Sequence, residues 1–158
     1  MEKTDDYYAL TLFDNEGTLK HVIFDIKLRL KKLPSVSGNV TINIINNWTV
    51  TGIVDTGATI CGITKRMGLN SCGEYDFISA TGNNTAPVYI FDVVFPKDKV
   101  IEQVEAVEIS DDHAFDFLIG MNIISMGDMA LTSVNGKAAF SFRMPPAEKY
   151  IDFELENC

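Results

Sequence analysis

Long apolar runs and a basic N-terminal start are both missing from this sequence of 158 residues. No apolar stretch approaches the roughly 20 residues that a membrane-spanning helix needs. The first residues include Glu2, Asp5 and Asp6, whereas a secretion signal begins with basic residues and continues into an apolar core. We therefore expect a soluble cytoplasmic protein with no membrane partner.

Positive charge is also scarce. The chain has 13 lysines and arginines against 22 aspartates and glutamates, which gives a formal net charge of −9. A surface with this excess of negative charge repels the phosphate backbone of DNA and RNA. Nucleic acid is therefore not an expected partner.

The sequence also lacks the residue patterns that are typical of disulfide frameworks and metal sites. The three cysteines Cys61, Cys72 and Cys158 are odd in number and have no Cys-x-x-Cys spacing, which favours reduced thiols over a disulfide framework. His21 and His113 lie far apart in the sequence, with no metal-ligand pattern around either of them. We predict neither a metal site nor a cofactor.

What the sequence does contain is the alternation of apolar and polar residues that is typical of strands with one buried face. Strands at about residues 8–12 and 22–30, with a turn at 14–17, predict an N-terminal β-hairpin. A second hairpin is predicted from the alternation at 40–44, a tight turn at Asn46-Asn47 and a returning strand from Trp48. The chain length suits one domain with a substantial core.

The remaining pattern is also mainly that of strands. Asn135-Gly136 is the strongest short hairpin signal in the chain, and Gly127 is a plausible C-terminal cap for a short helix. The predicted elements are strands at 75–80 and 88–95 around a polar loop at 81–85, an apolar run at 115–119, a helix at 121–126, and strands at 129–134 and 137–143.

One segment connects this β pattern to chemistry. Asp55 follows a predicted buried strand and precedes Thr56 and Gly57. Gly57 can adopt backbone angles that other residues avoid, and the Thr56 hydroxyl can brace the turn, so backbone N–H groups can approach the Asp55 carboxylate. An ordinary turn that closes a strand gives the same short sequence, and the motif alone leaves this alternative open.

The context of the motif resembles the retropepsin-like aspartic peptidases, notably their small bacterial single-domain members. Residues 53–58 read Ile-Val-Asp-Thr-Gly-Ala, and about sixty residues later residues 117–122 read Phe-Leu-Ile-Gly-Met-Asn. The similarity covers about residues 40–145. It implies an all-β chain with one or two short helices, folded as the closed β-barrel of the acid proteases and assembled as a homodimer.

The resemblance also divides the chain into segments. It implies an N-terminal hairpin extension with a linker at 1–38, the peptidase domain at 39–146 and an acidic C-terminal tail at 147–158. At residues 100–109 the glutamates recur at helical spacing, whereas the valines and isoleucines favour a strand. The family pattern favours the strand.

The function that the resemblance implies is that of an aspartic endopeptidase acting on a protein or peptide. Hydrolysis by carboxylates requires one ionised and one protonated group, yet the chain has one Asp-Thr-Gly and no Asp-Ser-Gly. A two-fold dimer resolves this, because each subunit supplies one Asp55. The predicted catalytic residues are Asp55, Thr56 and Gly57.

The polar loop at 81–85 corresponds in position to the family's flap, a hairpin that closes over bound peptide. The residues predicted to contact substrate are Ala58, Thr81, Gly82 and Asn83. Two alternatives to the peptidase remain open. One is a catalytically silent domain of the same fold that serves as a dimeric peptide-binding or adaptor module, and the other is an unrelated small acidic β-barrel.

Overall fold

Strands dominate the computed structural model, which describes residues 7–14, 21–31, 44–64, 69–79, 82–111 and 113–149. The all-β prediction is confirmed. Within the described ranges the elements are, in chain order, β1 (Tyr8–Asp14), β2 (Ile23–Lys31), β3 (Ile44–Val54), β4 (Cys61–Thr64), β5 (Gly73–Ser79), β6 (Gly82–Phe95), a 3-10 turn (Pro96–Asp98), β7 (Lys99–Ile109), β8 (Phe117–Ile119), α1 (Met121–Ile124), β9 (Asp128–Val134) and β10 (Lys137–Met144).

The strands form two sheets, and each sheet belongs to a separate compact unit of the chain. In one unit, β1, β10 and β9 form an antiparallel sheet in that order. The other unit contains strands β2 to β8 and α1, and its strand order is β2-β3-β8-β4-β7-β6-β5. The candidate active-site turn lies in this second unit.

The larger sheet closes on itself through β2. This strand pairs with β3 on one side and with β6 on the other, where the register runs from Lys27↔Val94 to Arg29↔Asp92. Because β2 and β6 are the first and last members of the series β2-β3-β8-β4-β7-β6, the pairing produces a closed barrel of six strands. The predicted closed β-barrel is confirmed.

The predicted N-terminal hairpin is wrong, although both of its strands exist. β1 pairs with β10 along its length, whereas β2 pairs with β3 and β6. Alternate residues of β2, including Ile26 and Leu28, are buried, and they lie on a strand of the barrel. Alternation reveals that a strand has a buried face, but it does not identify the strand's partner.

The turn predicted at Asn46-Asn47 is also wrong. β3 runs unbroken through both residues, and β2 pairs with it from Ile53 back to Ile44. The ladder shifts register between Leu30 and Lys31, but Asn46 and Asn47 remain paired with β2, and this pairing outweighs the local turn preference of the two asparagines.

Several later predictions are confirmed. Residues 99–109 form a strand, and β9 and β10 form the hairpin around Asn135 and Gly136. Both turn residues have positive φ, 52° and 76°, as a two-residue hairpin turn of this kind requires. The predicted helix is present but covers only Met121–Ile124. Within the described ranges, no helix has the length and apolar character needed to cross a membrane.

The interior of the barrel consists mainly of apolar side chains, and Thr64 and Asp92 are polar residues that are buried with them. Consecutive residues of β6 from Phe91 to Phe95 are buried, because this half of the strand has neighbours on both sides and is covered on both faces. Among the largest fully buried side chains are Phe91, Phe117, Ile26, Leu28, Ile63 and Ile119. Two of these, Phe117 and Ile119, belong to β8, so the strand that supports the candidate site is anchored in the core.

Candidate active site

Asp55 is the first residue beyond β3 and is exposed to solvent. The strand that carries it is tightly packed. A Cβ atom added at Gly52 would lie 3.4 Å from the Cδ1 atoms of Ile26 and Ile119 and 3.3 Å from the carbonyl oxygen of Phe24. The backbone leading to Asp55 is therefore fixed, while the carboxylate itself meets solvent.

β8 supports the end of β3 by running parallel to it. Gly52 is in register with Phe117, and Val54 with Ile119. The pairing continues one residue past the strand, because the N–H of Asp55 donates to the carbonyl of Ile119 at 3.0 Å. The two motifs that resemble the peptidase family are thus direct backbone neighbours.

The start of β8 is fixed by Asp116. Its N–H donates to the carbonyl of Thr51 at 2.9 Å, and its Oδ2 accepts the N–H of Thr51 at 3.2 Å. Its own carbonyl accepts the N–H of Thr64, at the end of β4, at 3.0 Å. Asp116 therefore joins β3, β8 and β4 at the point where β8 enters between the other two strands.

The turn itself is held by two short-range hydrogen bonds. The N–H of Gly57 donates to Oδ1 of Asp55 at 2.8 Å, and the N–H of Ala58 donates to the carbonyl of Asp55 at 3.3 Å. A Cβ atom at Gly57 would lie 3.2 Å from Oδ1 of Asp55. Glycine therefore allows the backbone N–H to orient the carboxylate without a side chain pressing on it. Thr56 is exposed and Ala58 is half-buried.

Gly120 permits the closest approach between the two motifs. A Cβ atom at this residue would lie 2.5 Å from the carbonyl oxygen of Ile60 and 2.9 Å from the amide nitrogen of Cys61. A side chain at Gly120 would therefore force the two backbones apart. Next to it, the N–H of Met121 donates to the carbonyl of Ala58 at 2.8 Å.

Asn122 also connects the two segments. Its N–H donates to the carbonyl of Thr59 at 3.2 Å, and its side-chain Oδ1 accepts the N–H of Cys61 at 3.0 Å. The Cys61 thiol donates to the same Oδ1 at 3.0 Å, and the N–H of Gly120 donates to the thiol sulfur at 3.4 Å. The sequence suggested no role for Asn122 and predicted only that Cys61 is a reduced thiol. The only sequence signal for Asn122 is its place at the end of the second motif.

Burial raises the pKa of the Cys61 thiol to about 12, although the hydrogen bonds with Gly120 and Asn122 act in the opposite direction. The thiol is therefore protonated at neutral pH and acts as a donor. Cys72, by contrast, is exposed, and its thiol donates to the carbonyl of Val88 at 3.1 Å.

The flap candidate is the hairpin of β5 and β6. The loop predicted at 81–85 is wrong in extent, because β6 begins at Gly82 and pairs with β5 from there. Side-chain bonds support this pairing, since the Thr85 hydroxyl donates to Oδ1 of Asp76 at 2.7 Å and Nδ2 of Asn84 donates to the carbonyl of Gly82 at 2.8 Å. These polar residues stabilise a strand that their composition did not predict.

Gly82 has φ of +114°, and a Cβ atom added there would meet nothing within 4 Å. Glycine is therefore required here by the backbone conformation and not by a lack of space. Asn83 is exposed and is in register with Ile78, whose side chain is 83% exposed. Thr81 lies outside the described residues. The hydrogen bonds of the Asp55 turn and of the residues after it involve residues 119–122, and the side-chain bonds of Asn84 and Thr85 join neighbouring residues of the β5–β6 hairpin.

The structure is similar to the crystal structure of a retropepsin-like aspartic protease from Rickettsia conorii, with a TM-score of 0.52 and 16% sequence identity. The match covers 90% of this chain and 98% of that one. This chain has a retropepsin-like fold. No protein-family model matches the sequence, and no curated protein matches it by sequence.

In this retropepsin-like fold, the exposed carboxylate at the end of β3 is the principal chemical group of the candidate site. Within the described part of the chain, no three side chains of His, Cys, Asp or Glu are grouped so that they could hold a metal ion. A carboxylate can accept a proton from water when it is ionised and donate one when it is protonated, but a single carboxylate cannot do both at once. The sequence contains one Asp-Thr-Gly, so one chain supplies one carboxylate of this kind.

Proposed function

We propose that this protein is an aspartic endopeptidase whose active site forms from the Asp55 residues of two subunits. The observation that carries the proposal is the Asp55 carboxylate, which is exposed at the end of a buried strand and oriented by the N–H of Gly57 at 2.8 Å. The retropepsin-like fold and the support of this turn by residues 119–122 agree with it.

The chemistry follows from the proximity of two equal carboxylates. When two Asp55 side chains share a site, their mutual repulsion disfavours ionisation of both, so that one is ionised while the other is protonated. The ionised carboxylate takes a proton from water, which attacks the peptide carbonyl carbon, and the protonated carboxyl donates its proton to the carbonyl oxygen. Transfer of a proton to the leaving nitrogen then breaks the C–N bond.

A two-fold dimer is the simplest assembly that supplies this pair. On a two-fold axis every residue meets its own copy, so one Asp-Thr-Gly turn for each chain is sufficient. The Thr56 and Gly57 residues of both subunits then brace the paired turns. Ala58 lines the cleft, and the flap around Thr81, Gly82 and Asn83 covers a peptide bound in extended conformation.

The central test is Asp55→Asn, which keeps the shape of the side chain but cannot accept the proton. We expect cleavage of a peptide library to fall by at least about 10³-fold, while Asp25→Asn, at an exposed carboxylate of β2, leaves it unchanged. Near-normal cleavage by purified Asp55→Asn protein would overturn the mechanism. A wild-type protein that binds peptides without cleaving them would instead identify the silent peptide-binding module.

Subunit mixing tests whether the site is shared. A mixed dimer of wild-type and Asp55→Asn chains has only one carboxylate, so an excess of the variant should depress wild-type activity beyond simple dilution. Specific activity should also fall when the protein is diluted below its dimer dissociation constant. Activity that is proportional to wild-type concentration in both experiments, from a protein of monomeric mass, would contradict the shared site.

A further inference from the structure

A single side chain, that of Asn122, connects three segments of the barrel unit. Its Oδ1 accepts both the N–H and the thiol of Cys61, each at 3.0 Å, at the start of β4. Its Nδ2 donates to the carbonyl of Glu105, within β7, at 2.9 Å. The carboxamide thus uses its acceptor toward one strand and its donor toward another, from a position at the start of α1.

The backbone at Asn122 also bonds to the segment that leads into β4. Its N–H donates to the carbonyl of Thr59, and the preceding N–H, of Met121, donates to the carbonyl of Ala58. Residues 58–61 are therefore bound to the start of α1 by both backbone and side-chain bonds. These residues directly follow the turn in which the N–H of Ala58 closes onto the carbonyl of Asp55.

We propose that Asn122 is a positioning residue for Asp55, with Cys61 as its partner. The proposal rests on the peptidase function proposed above. Asn122 does not contact the reacting atoms. It fixes the chain immediately after the carboxylate, so that the two Asp55 side chains of the dimer meet with a defined separation. A site shared by two subunits contains two such turns, so a substitution of Asn122 changes the position of both Asp55 side chains.

The asparagine side chain suits this role because it carries both a donor and an acceptor. Aspartate keeps the shape and the acceptor but, when ionised, places a negative charge against the carbonyl of Glu105. Alanine removes both functions and leaves the buried N–H and thiol of Cys61 without this partner, which is costly for buried polar groups. The side chains of Cys61 and Glu105 are the titratable groups on the two residues that bond to the carboxamide.

The first arm of the test compares peptidase kinetics. We expect Asn122→Ala to lower kcat on the order of 10²-fold while KM changes little, because the clamp positions the carboxylate and does not bind peptide. Asn47→Ala, at an exposed asparagine of β3, is the matched control and should retain wild-type kcat. A kcat for Asn122→Ala within about twofold of wild type would overturn the proposal.

The second arm uses pH and the shape-conserving variant Asn122→Asp. A carboxyl group ordinarily titrates at about 3.9. The carbonyl of Glu105 favours its protonated form, which regains the donor, whereas the N–H and the thiol of Cys61 favour its ionised form. The ratio of kcat/KM for Asn122→Asp to that of wild type should therefore rise as the pH falls from about 7 to about 4. A ratio that stays constant across this range would contradict the clamp, even if Asn122→Ala fails to fold.

The third arm does not depend on peptidase activity. With Cys72 and Cys158 replaced by serine, Cys61 is the remaining thiol, and in the clamped protein it is fully buried. Asn122→Ala should accelerate alkylation of Cys61 and hydrogen exchange at the amides of residues 55–61 by at least about tenfold. Unchanged rates would overturn the clamp. If Asn122→Ala raises these rates and the protein with Asn122 intact cleaves no peptide, the result would support the clamp and reject the peptidase function.

Discussion

The Asp55 turn and the β5–β6 hairpin are the two parts of the candidate site, and they are held in opposite ways. Hydrogen bonds to Ile119, Met121 and Asn122, about sixty residues away in sequence, support the turn and the residues that follow it. Residues 82–87 of β6 pair with β5 and are supported by side-chain bonds between neighbours, such as Thr85 to Asp76, whereas β6 from Val88 onward also pairs with β7 and belongs to the barrel. The turn is therefore part of the cooperative barrel, and we expect the end of the hairpin, at residues 82–85, to open more readily than the turn.

Because of this difference, we expect variants near the turn and variants in the hairpin to have different kinetic effects. Changes near the turn should alter the position of the carboxylate or the stability of the whole barrel unit, since the bonds there connect β3, β4 and α1. Changes in the hairpin should alter how a peptide enters and is covered, because lids of this kind move without unfolding the domain. The following variants test that separation, beginning with the largest effect.

Gly120→Ala should destabilise the barrel unit most. The new Cβ would lie 2.5 Å from the carbonyl oxygen of Ile60, so two backbones must separate. We expect a loss of about 3 kcal/mol in the free energy of unfolding, measured by urea titration. Gly73→Ala is the matched control on β5, since its Cβ would lie 3.6 Å from Cγ1 of Val88, an ordinary contact. Equal losses for the two variants would contradict the comparison.

Gly82→Val should impair catalysis more than stability. At φ of +114° any side chain is strained, at a cost of about 1 kcal/mol at this exposed end of the hairpin, and a β-branched residue stiffens the hairpin further. We expect kcat/KM to fall about tenfold, with a smaller change in the free energy of unfolding. Gly82→Ala separates the loss of glycine freedom from the stiffness of valine. Unchanged kcat and KM in Gly82→Val would show that this hairpin is not the flap.

Ala58→Ser should shift the pH dependence. The added hydroxyl can donate to Asp55, and such a hydrogen bond stabilises the ionised form of the paired carboxylates. The base then remains ionised to lower pH, so the acidic limb of kcat/KM moves down, by about half a unit to one unit after solvent competition. Ala130→Ser, in the other sheet, is the control. An unmoved or raised limb would show that residue 58 does not face Asp55.

Thr85→Val should have the smallest effect. It removes the hydroxyl that donates to Asp76 at 2.7 Å, but both residues are exposed and water replaces the bond. We expect KM to rise by about twofold with kcat unchanged, since a net hydrogen bond contributes about 1 kcal/mol or less at such a site. A large fall in kcat would indicate that the hairpin is coupled to the turn more tightly than its contacts suggest.

The sequence predicted those features that are local. The β9–β10 hairpin follows from alternation and from Asn135-Gly136, and the motif at Asp55 is visible because its glycine turn is contiguous. Strand β7 required the family resemblance, because its own residues fit a helix as well as a strand. The partners of β1 and β2 were not predictable, since alternation reports a buried face without naming the strand across from it. The role of Asn122 was also hidden, because Cys61 and Glu105 reach its side chain only after folding.

The position of β8 between β3 and β4 has a consequence for biosynthesis. A growing chain carries the complete Asp55 turn long before the ribosome adds Phe117–Ile119, the strand that pairs with the end of β3. Until then the N–H of Asp55 lacks the carbonyl of Ile119, and the carbonyls of residues 58 and 59 lack the amides of Met121 and Asn122. A fragment that ends before residue 117 therefore contains the Asp-Thr-Gly sequence without these backbone partners.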